Sequence, residues 1–273
     1  MSDIVLSAAV RSNLLQLQQT SDLIAQTQNK LATGKKVNSA LDNAINYFTA
    51  QGLDTRANAL NSLLDTMSNS ISTIQAANNG ITSITKLVQS AQALVSQAQQ
   101  ANNTATQATL STQFNSLLTQ IGQLAGDSGF NGINLLSGNS LTVTLNESGT
   151  SSTTVTGVNY TNANASPLSI ANATNNWAGA SDITAAATAL SAALTTLQTE
   201  SQALSGSLAV VQTRQDFTKS MINTLQAGSA SLTLADTNQE GANLLALQTR
   251  QQLSSTALSF ASQADQNVLR LFR

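Results

Sequence analysis

Apolar side chains recur every seven residues along both ends of this chain and through most of its middle. Val10, Leu17, Ile24 and Leu31 hold that spacing near the start, and Leu60, Met67, Ile74, Ile81, Val88 and Val95 hold it next. In the far half, Leu190, Leu194, Leu197, Leu204, Leu208 and Val211 advance by fours and threes with Ser201 as the one polar interruption. Ala257, Ala261, Ala264, Val268 and Leu271 repeat the pattern at the C-terminus. Stripes sustained this long specify helices that pack against other helices along their length.

The boundaries follow from local signals. A first helix is predicted over residues 4 to 33, ended by Gly34, which can take the left-handed conformation of a helix C-cap. Ser39-Ala-Leu-Asp42 has the spacing of a capping box, and a second helix extends from there to about residue 100. Asn78-Asn79-Gly80 is the one place where an interruption of it is expected. At about 1.5 Å per residue, some sixty helical residues span on the order of 90 Å, a rod rather than a globule. A third helix over 105 to 126 carries Leu110, Phe114, Leu117, Leu118 and Ile121 on one face, and Gly126-Asp-Ser-Gly129 closes it.

Residues 136 to 180 are rich in Ser, Thr, Asn and Gly, with strand-like alternation at Leu141-Thr-Val-Thr-Leu145 and a turn at Glu147-Ser-Gly149. Ser181-Asp182 caps a further helix that runs to about 226, and Gly228 allows a bend before a last helix over 236 to 272. The only proline is Pro167, so nothing breaks the helices before it. The expected fold is mainly α, a long antiparallel helical rod or coiled-coil bundle built from the N- and C-terminal halves, with a small β-containing insertion at the tip. Its expected divisions are terminal helices (1–38 and 236–273), a long-helix rod (39–135 and 181–235) and a surface insertion (136–180).

Composition narrows the function. Aromatic residues make up only 3% of the 273 positions, which suits thin aliphatic seams better than a thick core. The net charge is -2, and no Lys or Arg occurs from 87 to 213, so that stretch has no basic footprint for nucleic acid. There is neither cysteine nor histidine. Their absence removes thiolate nucleophiles, disulfides, the commonest general base and the commonest transition-metal ligands. The start Met-Ser-Asp lacks the layout of a cleaved signal peptide, and no stretch has the length and apolarity of a membrane span. Export by a dedicated machine without cleavage stays open.

Most single residues have plain readings. Lys35 and Lys36 read as a solvated pair after the first helix, Asp42 as a cap, and Trp177 as an anchor of the insertion onto the bundle. Sequons at Asn102, Asn146 and Asn172 are expected by chance in so Asn- and Thr-rich a chain. Asp127 and Glu147 are the carboxylates near the insertion that a glycosidase would need, and nothing in the sequence fixes their separation. The terminal stripes are different, because no other apolar surface in the sequence is left to cover them. They are read as assembly seams between copies: Val10, Leu14, Leu17, Ile24, Leu31, Leu247, Ala257, Ala261, Ala264, Val268 and Leu271. No cofactor, metal or catalytic residue is assigned.

Four segments carry a family resemblance. Leu31-Ala-Thr-Gly-Lys-Lys-Val-Asn-Ser-Ala-Leu-Asp-Asn43 resembles the N-terminal signature of bacterial flagellins, a Ser/Thr-Gly pair, a basic residue and an Asn-Ser-Ala-x-Asp run. Ile74-Gln-Ala-Ala-Asn-Asn-Gly80, Phe130-Asn-Gly-Ile-Asn-Leu-Leu-Ser-Gly138 and Ala261-Ser-Gln-Ala-Asp-Gln-Asn-Val-Leu-Arg-Leu-Phe272 resemble three more, in order. The short middle looks most like alphaproteobacterial flagellins.

The resemblance implies a structural subunit of the extracellular flagellar filament, secreted unfolded, with the terminal helices as inner tube, the long helices around them and the insertion outward. It implies as partners further copies of the chain, the flagellar export apparatus, a secretion chaperone, and the distal cap and junction proteins. It also allows O-glycosylation of the insertion. Enteric flagellins carry an arginine-rich motif for the Toll-like receptor where this chain reads Val88-Gln-Ser-Ala-Gln-Ala-Leu-Val-Ser-Gln97, so weak or no recognition is expected. A hook-filament junction protein of the same family and a secreted coiled-coil effector or translocator remain as alternatives.

Overall fold

The structure is a computed structural model that describes residues 8–271; for Ala9 and residues 268–271 it describes the backbone alone. Among the described residues there are five long helices and one two-stranded sheet: α1 (Ala8–Thr33), α2 (Ala44–Gln100), α3 (Thr104–Asp127), β1 (Leu141–Thr144), β2 (Ser152–Val155), α4 (Ala180–Thr233) and α5 (Thr237–Leu271). The chain forms two compact units, Met1–Thr55 with Thr224–Arg273, and Arg56–Asn223. The expected class, mainly helical with a small β element, is the class observed.

In the unit that holds both chain ends, α1 packs against α5. α1 stops at Gly34, whose φ of 66° is the left-handed conformation expected there. The segment after it pairs with the α4–α5 connection: Lys36 N–H donates to Thr233 O at 2.8 Å and Ala235 N–H to Gly34 O at 2.9 Å. Asp42 does not start α2. Its Oδ2 accepts the N–H groups of Asn38 and Ser39, both at 2.9 Å, and so closes the preceding loop. The cap is Asn43, whose Oδ1 accepts from Asn46 N–H at 3.0 Å. Asn and Asp both satisfy orphan amides, and here the two split the task between turn and helix.

Gly228 is no bend either. α4 runs through it to Thr233, and Leu53 Cδ1 lies 3.3 Å from where a β-carbon would stand, so the missing side chain allows α2 close approach. Asp236 caps α5 by accepting from Asn238 N–H at 2.9 Å.

In the other unit the core is the continuous α2 stripe, with Met67, Ile74, Ile84 and Val88 fully buried against Leu190, Leu197 and Val211 of α4 and Phe114 and Ile121 of α3 among others. Each such side chain contributes about 1.5–3 kcal/mol by leaving water. α2 is unbroken at Asn78-Asn79-Gly80. The two polar interruptions of the facing stripes meet: Ser201 Oγ donates to Asn78 Oδ1 at 3.0 Å, and Asn78 Nδ2 donates to Ser205 Oγ at 3.2 Å. A β-carbon on Gly80 would overlap Ser128 Oγ and stand 2.7 Å from Leu136 Cδ1, so this glycine admits the loop after α3.

That loop is a tight turn in which Phe130 and Ile133 exchange backbone hydrogen bonds at 2.9 and 3.0 Å, with Asn131 and Gly132 at φ 48° and 79°. Asn134 Nδ2 donates to Ala125 O and Gly126 O, both at 2.8 Å, capping the last turn of α3, while Leu135 and Leu136 go into the core.

The β-hairpin is where the alternation puts it, with Leu141 opposite Val155 and Thr144 opposite Ser152. Arg56 Nε, in the second turn-pair of α2 from its start, donates to Glu147 in the hairpin loop, so the hairpin runs back beside α2. The return segment crosses α3, with Thr161 against Gly122 and Ala173 N–H donating to Asn115 Oδ1 at 2.8 Å. It ends at Trp177, fully buried with its ring centroid 4.9 Å from that of Phe114. A polar segment with only Leu141, Val143, Val155 and a few further apolar residues has no core of its own, and its apolar side chains bind it to the helices.

The two glycines of α2 give opposite expectations. Gly52 has open space around it, so Gly52→Ala raises stability by about 0.5–1 kcal/mol. Gly80→Ala must displace Ser128 and Leu136 and lowers stability by about 1–3 kcal/mol. Urea unfolding followed by helical circular dichroism checks both.

Candidate assembly surface

The facing sides of α1 and α5 define the first part of this surface. On α1 the inward positions are Val10, Asn13, Leu17, Thr20, Ile24, Thr27 and Leu31, a strict alternation of three and four. On α5 they are Leu244, Leu247, Gln251, Ser254, Leu258, Ala261 and Asp265. Every second α1 position is polar, and the Thr20 hydroxyl donates back to Gln16 O at 2.8 Å. Lys30 and Glu240 pair at 3.3 Å at the end where α1 stops and α5 begins. Such a seam buries little apolar area per turn, and helices of this length draw most of their stability from packing.

The residues read from the sequence as assembly seams divide accordingly. Val10 and Ile24 are buried, and Leu17, Leu31, Leu247 and Ala261 are half-buried. The expectation that the chain has nothing to cover the stripe is corrected at Val10 and Ile24, because α5 lies over α1. Leu14, Ala257 and Ala264 are exposed. The side chains of Val268 and Leu271 lie outside the described residues.

Large apolar side chains also point away from the seam. Leu14, Leu15 and Leu23 do so on α1; Leu245, Leu253 and Phe260, each about two thirds exposed, do so on α5. Leu15, Leu23, Leu245, Leu253 and Phe260 were not legible as surface residues, although the seven-residue step from Leu253 to Phe260 is a second stripe in a different phase. At the start of α2, Leu41, Ile45 and Phe48 form a third exposed group at helical spacing.

Among the described residues no group of carboxylates is placed to hold a metal ion. Glu147 has none of the raised pKa a carboxyl needs to serve as a general acid. A hydrogen bond from its own backbone amide, then its bond to Arg56, holds its carboxyl below the usual range. Asp42 is held down by the Asn38 and Ser39 amides of the loop that it closes. Asn146, the acceptor of one sequon, spends its side chain inside the hairpin loop, donating to Ser148 Oγ at 2.9 Å and Thr150 Oγ1 at 2.7 Å and accepting from Ser151 N–H at 2.9 Å.

One carboxylate stands apart. Glu200 of α4 lines a hollow of about 500 Å³ with Val158, Tyr160, Pro167 and Ala192. Burial pushes its pKa up, and burial, with the Glu200 charge as a smaller contribution, does the same to the Tyr160 hydroxyl.

Long paired helices, a hairpin folded against them and apolar side chains turned outward define a structural protein that works by packing. Comparison with known proteins agrees. A family model for the bacterial flagellin N-terminal helical region matches residues 5–141. Flagellin FljM of Caulobacter vibrioides is 32% identical over 95% of this chain and 94% of its own length. Flagellin FljN of the same organism is 34% identical over the same shares, and a flagellin of Brucella melitensis is 26% identical over 100% of both chains. A solved structure, Bacillus cereus flagellin, is 18% identical with a TM-score of 0.47 and covers 57% of this chain and 88% of its own. The chain belongs to the flagellin family, and it is a structural subunit that polymerises into the bacterial flagellar filament.

The raised pKa of Glu200 sets a sign. The folded chain binds this proton more tightly than the unfolded chain, whose value is near 4.5, so the unpaired charge costs stability above the folded value and the cost fades as pH falls through it. Glu200→Gln therefore raises the melting temperature of the monomer at neutral pH and narrows its advantage over the parent as pH is lowered, read by thermal unfolding at several pH values.

Proposed function

We propose that the outward faces of α1 and α5 are the surfaces that neighbouring copies cover in the filament. Leu15, Leu245, Leu253 and Phe260 carry this reading: they are more than half exposed while Asn13, Thr20 and Thr27 occupy the seam between the two helices. Val10, Leu17, Ile24, Leu31, Leu247 and Ala261 then hold the helix pair in shape, and Leu14, Ala257 and Ala264 join the outward face. Residues 1–38 and 236–273 form the filament's inner layer in this reading, 39–135 and 181–235 the layer around it, and 136–180 contribute polar surface.

The chain acts outside the cell, has no enzymatic role, and reaches the filament through the flagellar export apparatus with its chaperone, growing between junction and cap proteins. Family membership supports these roles, and among the described residues no helix is long and apolar enough to cross a membrane.

Leu253→Asp with Phe260→Asp leaves the helix content of the monomer unchanged and cuts seeded filament elongation by tenfold or more, since each buried side chain of this size is worth about 1.5–3 kcal/mol. Elongation at the parent rate, followed by light scattering and electron microscopy, would rule the surface out.

Receptor recognition gives a separate test. With Gln89, Ser90, Gln92, Ser96 and Gln97 as the polar residues of the 88–97 segment, the chain offers no cation there, and endotoxin-free protein at nanomolar dose is expected to evoke little Toll-like receptor signalling in reporter cells.

A further inference from the structure

Glu200 is a carboxylate without a partner in a place that invites one. Among the described residues it makes no ion pair and accepts no hydrogen bond, and the hydroxyls around it are committed elsewhere: Thr195, Thr196 and Thr199 donate to Ser191 O, Ala192 O and Thr195 O at 3.2, 3.1 and 2.9 Å. The rest of the hollow is apolar, with Val158, Pro167 and Ala192 as walls and Tyr160 at its base. The chemistry that fits is a cation on an apolar stem.

The same unit presents that chemistry on its surface. Val210 and Phe217 of α4, about half exposed, stand seven residues apart, and Arg214 lies between them on the same face. Arg214 makes no ion pair among the described residues, while the neighbouring Asp216 and Lys219 pair with each other at 3.6 Å and cancel locally. Within one chain, Glu200 and Arg214 sit fourteen residues apart on a continuous helix, about 21 Å along its axis, and cannot meet.

We propose that the hollow beside Glu200 is a subunit contact that receives Arg214 of a second copy of this chain, with Val210 and Phe217 of that copy against its apolar walls. The proposal rests on the reading of the chain as a self-assembling subunit and adds a contact separate from the α1 and α5 faces. Because it joins two different patches, a head-to-tail arrangement leaves each added copy with one open hollow and one free arginine, so that the contact can propagate. Apolar walls exclude water from the pair, where a guanidinium–carboxylate bond is stronger than at an open surface.

The test is charge reversal in the full-length chain, measured as elongation on parent filament seeds by light scattering and as filament length by electron microscopy. Glu200→Lys and Arg214→Glu each slow elongation about tenfold or more, as loss of a close interfacial charge pair does. The double variant carrying both, polymerising on seeds of itself, recovers to within about threefold of the parent, since the pair is restored with its signs exchanged. Single variants that elongate at the parent rate overturn the contact, as do a double variant no better than the singles and a closed dimer that stops growth.

Should a variant fail to fold by circular dichroism, the natural absence of cysteine supplies a second readout. Thr199→Cys chains mixed with Phe217→Cys chains form an intermolecular disulfide within filaments, and filaments without that cross-link overturn the contact. If parent chains themselves do not elongate on seeds, the assembly reading fails instead, a result distinct from a failure of the contact alone.

Discussion

Helices of the length of α2 and α4 must have their apolar stripe covered along every turn, and this constraint organises everything else in the molecule. A stripe along about fifteen turns cannot be buried by a compact core; it can be buried only by other elements laid alongside. α2 satisfies the need with α4, α3 and the hairpin segment in succession. Where the cover changes from one element to the next, the residues at the changeover are small or polar. Gly80 admits the loop after α3, Gly122 admits the return strand at Thr161, and Asn78 joins Ser201 and Ser205 where the two apolar stripes would otherwise repeat without distinction. A half-buried amide tied to two hydroxyls favours one alignment of facing stripes over a neighbouring one, in the way a polar position sets register in coiled coils.

The helical frame was legible because period and cap signals agree there. α1 ends where Gly34 can turn, α3 is bounded by Asn103 and by Ser128, and the strands fall on the alternation from Leu141. Legibility failed where two residues compete for one job. Ser39 and Asp42 have the spacing of a cap, yet Asn43 stands nearer the helix and Asp42 closes the loop. Gly228 has the freedom to bend, yet the physical need at that point was room for Leu53. A glycine in a sequence does not say whether its missing side chain supplies dihedral freedom or space.

What the insertion packs against was not legible, for a different reason. A nearly palindromic order of helices locates a middle segment at the end of a bundle only if that segment has nothing to pack against on the way. Leu141, Val143, Val155, Tyr160, Leu168, Ile170 and Trp177 are all buried, spaced through what composition alone describes as polar and small. With so few apolar residues per turn the segment cannot form its own core, so it borrows the sides of α2 and α3. The ion pair of Arg56 with Glu147 and the bond from Ala173 to Asn115 are side-chain details that no periodicity announces.

The ends pose the opposite problem, since their stripes could be read but not which stripe faces inward. Each terminal helix carries two apolar phases, one with Val10, Leu17, Ile24 and Leu31, the other with Leu15, Leu23 or, on α5, Leu253 and Phe260. A single chain can cover only one phase with one partner helix. The covered phase alternates with asparagine and threonine, and the uncovered phase carries the larger side chains on α5. For a protein that worked alone this arrangement would be backwards, because it leaves the greater apolar area in water. In the proposed assembly further copies supply the cover, and the stability of the ends then becomes a property of the polymer. Glu200 follows the same logic in electrostatic form: a half-buried carboxylate with no cation beside it weakens the isolated chain.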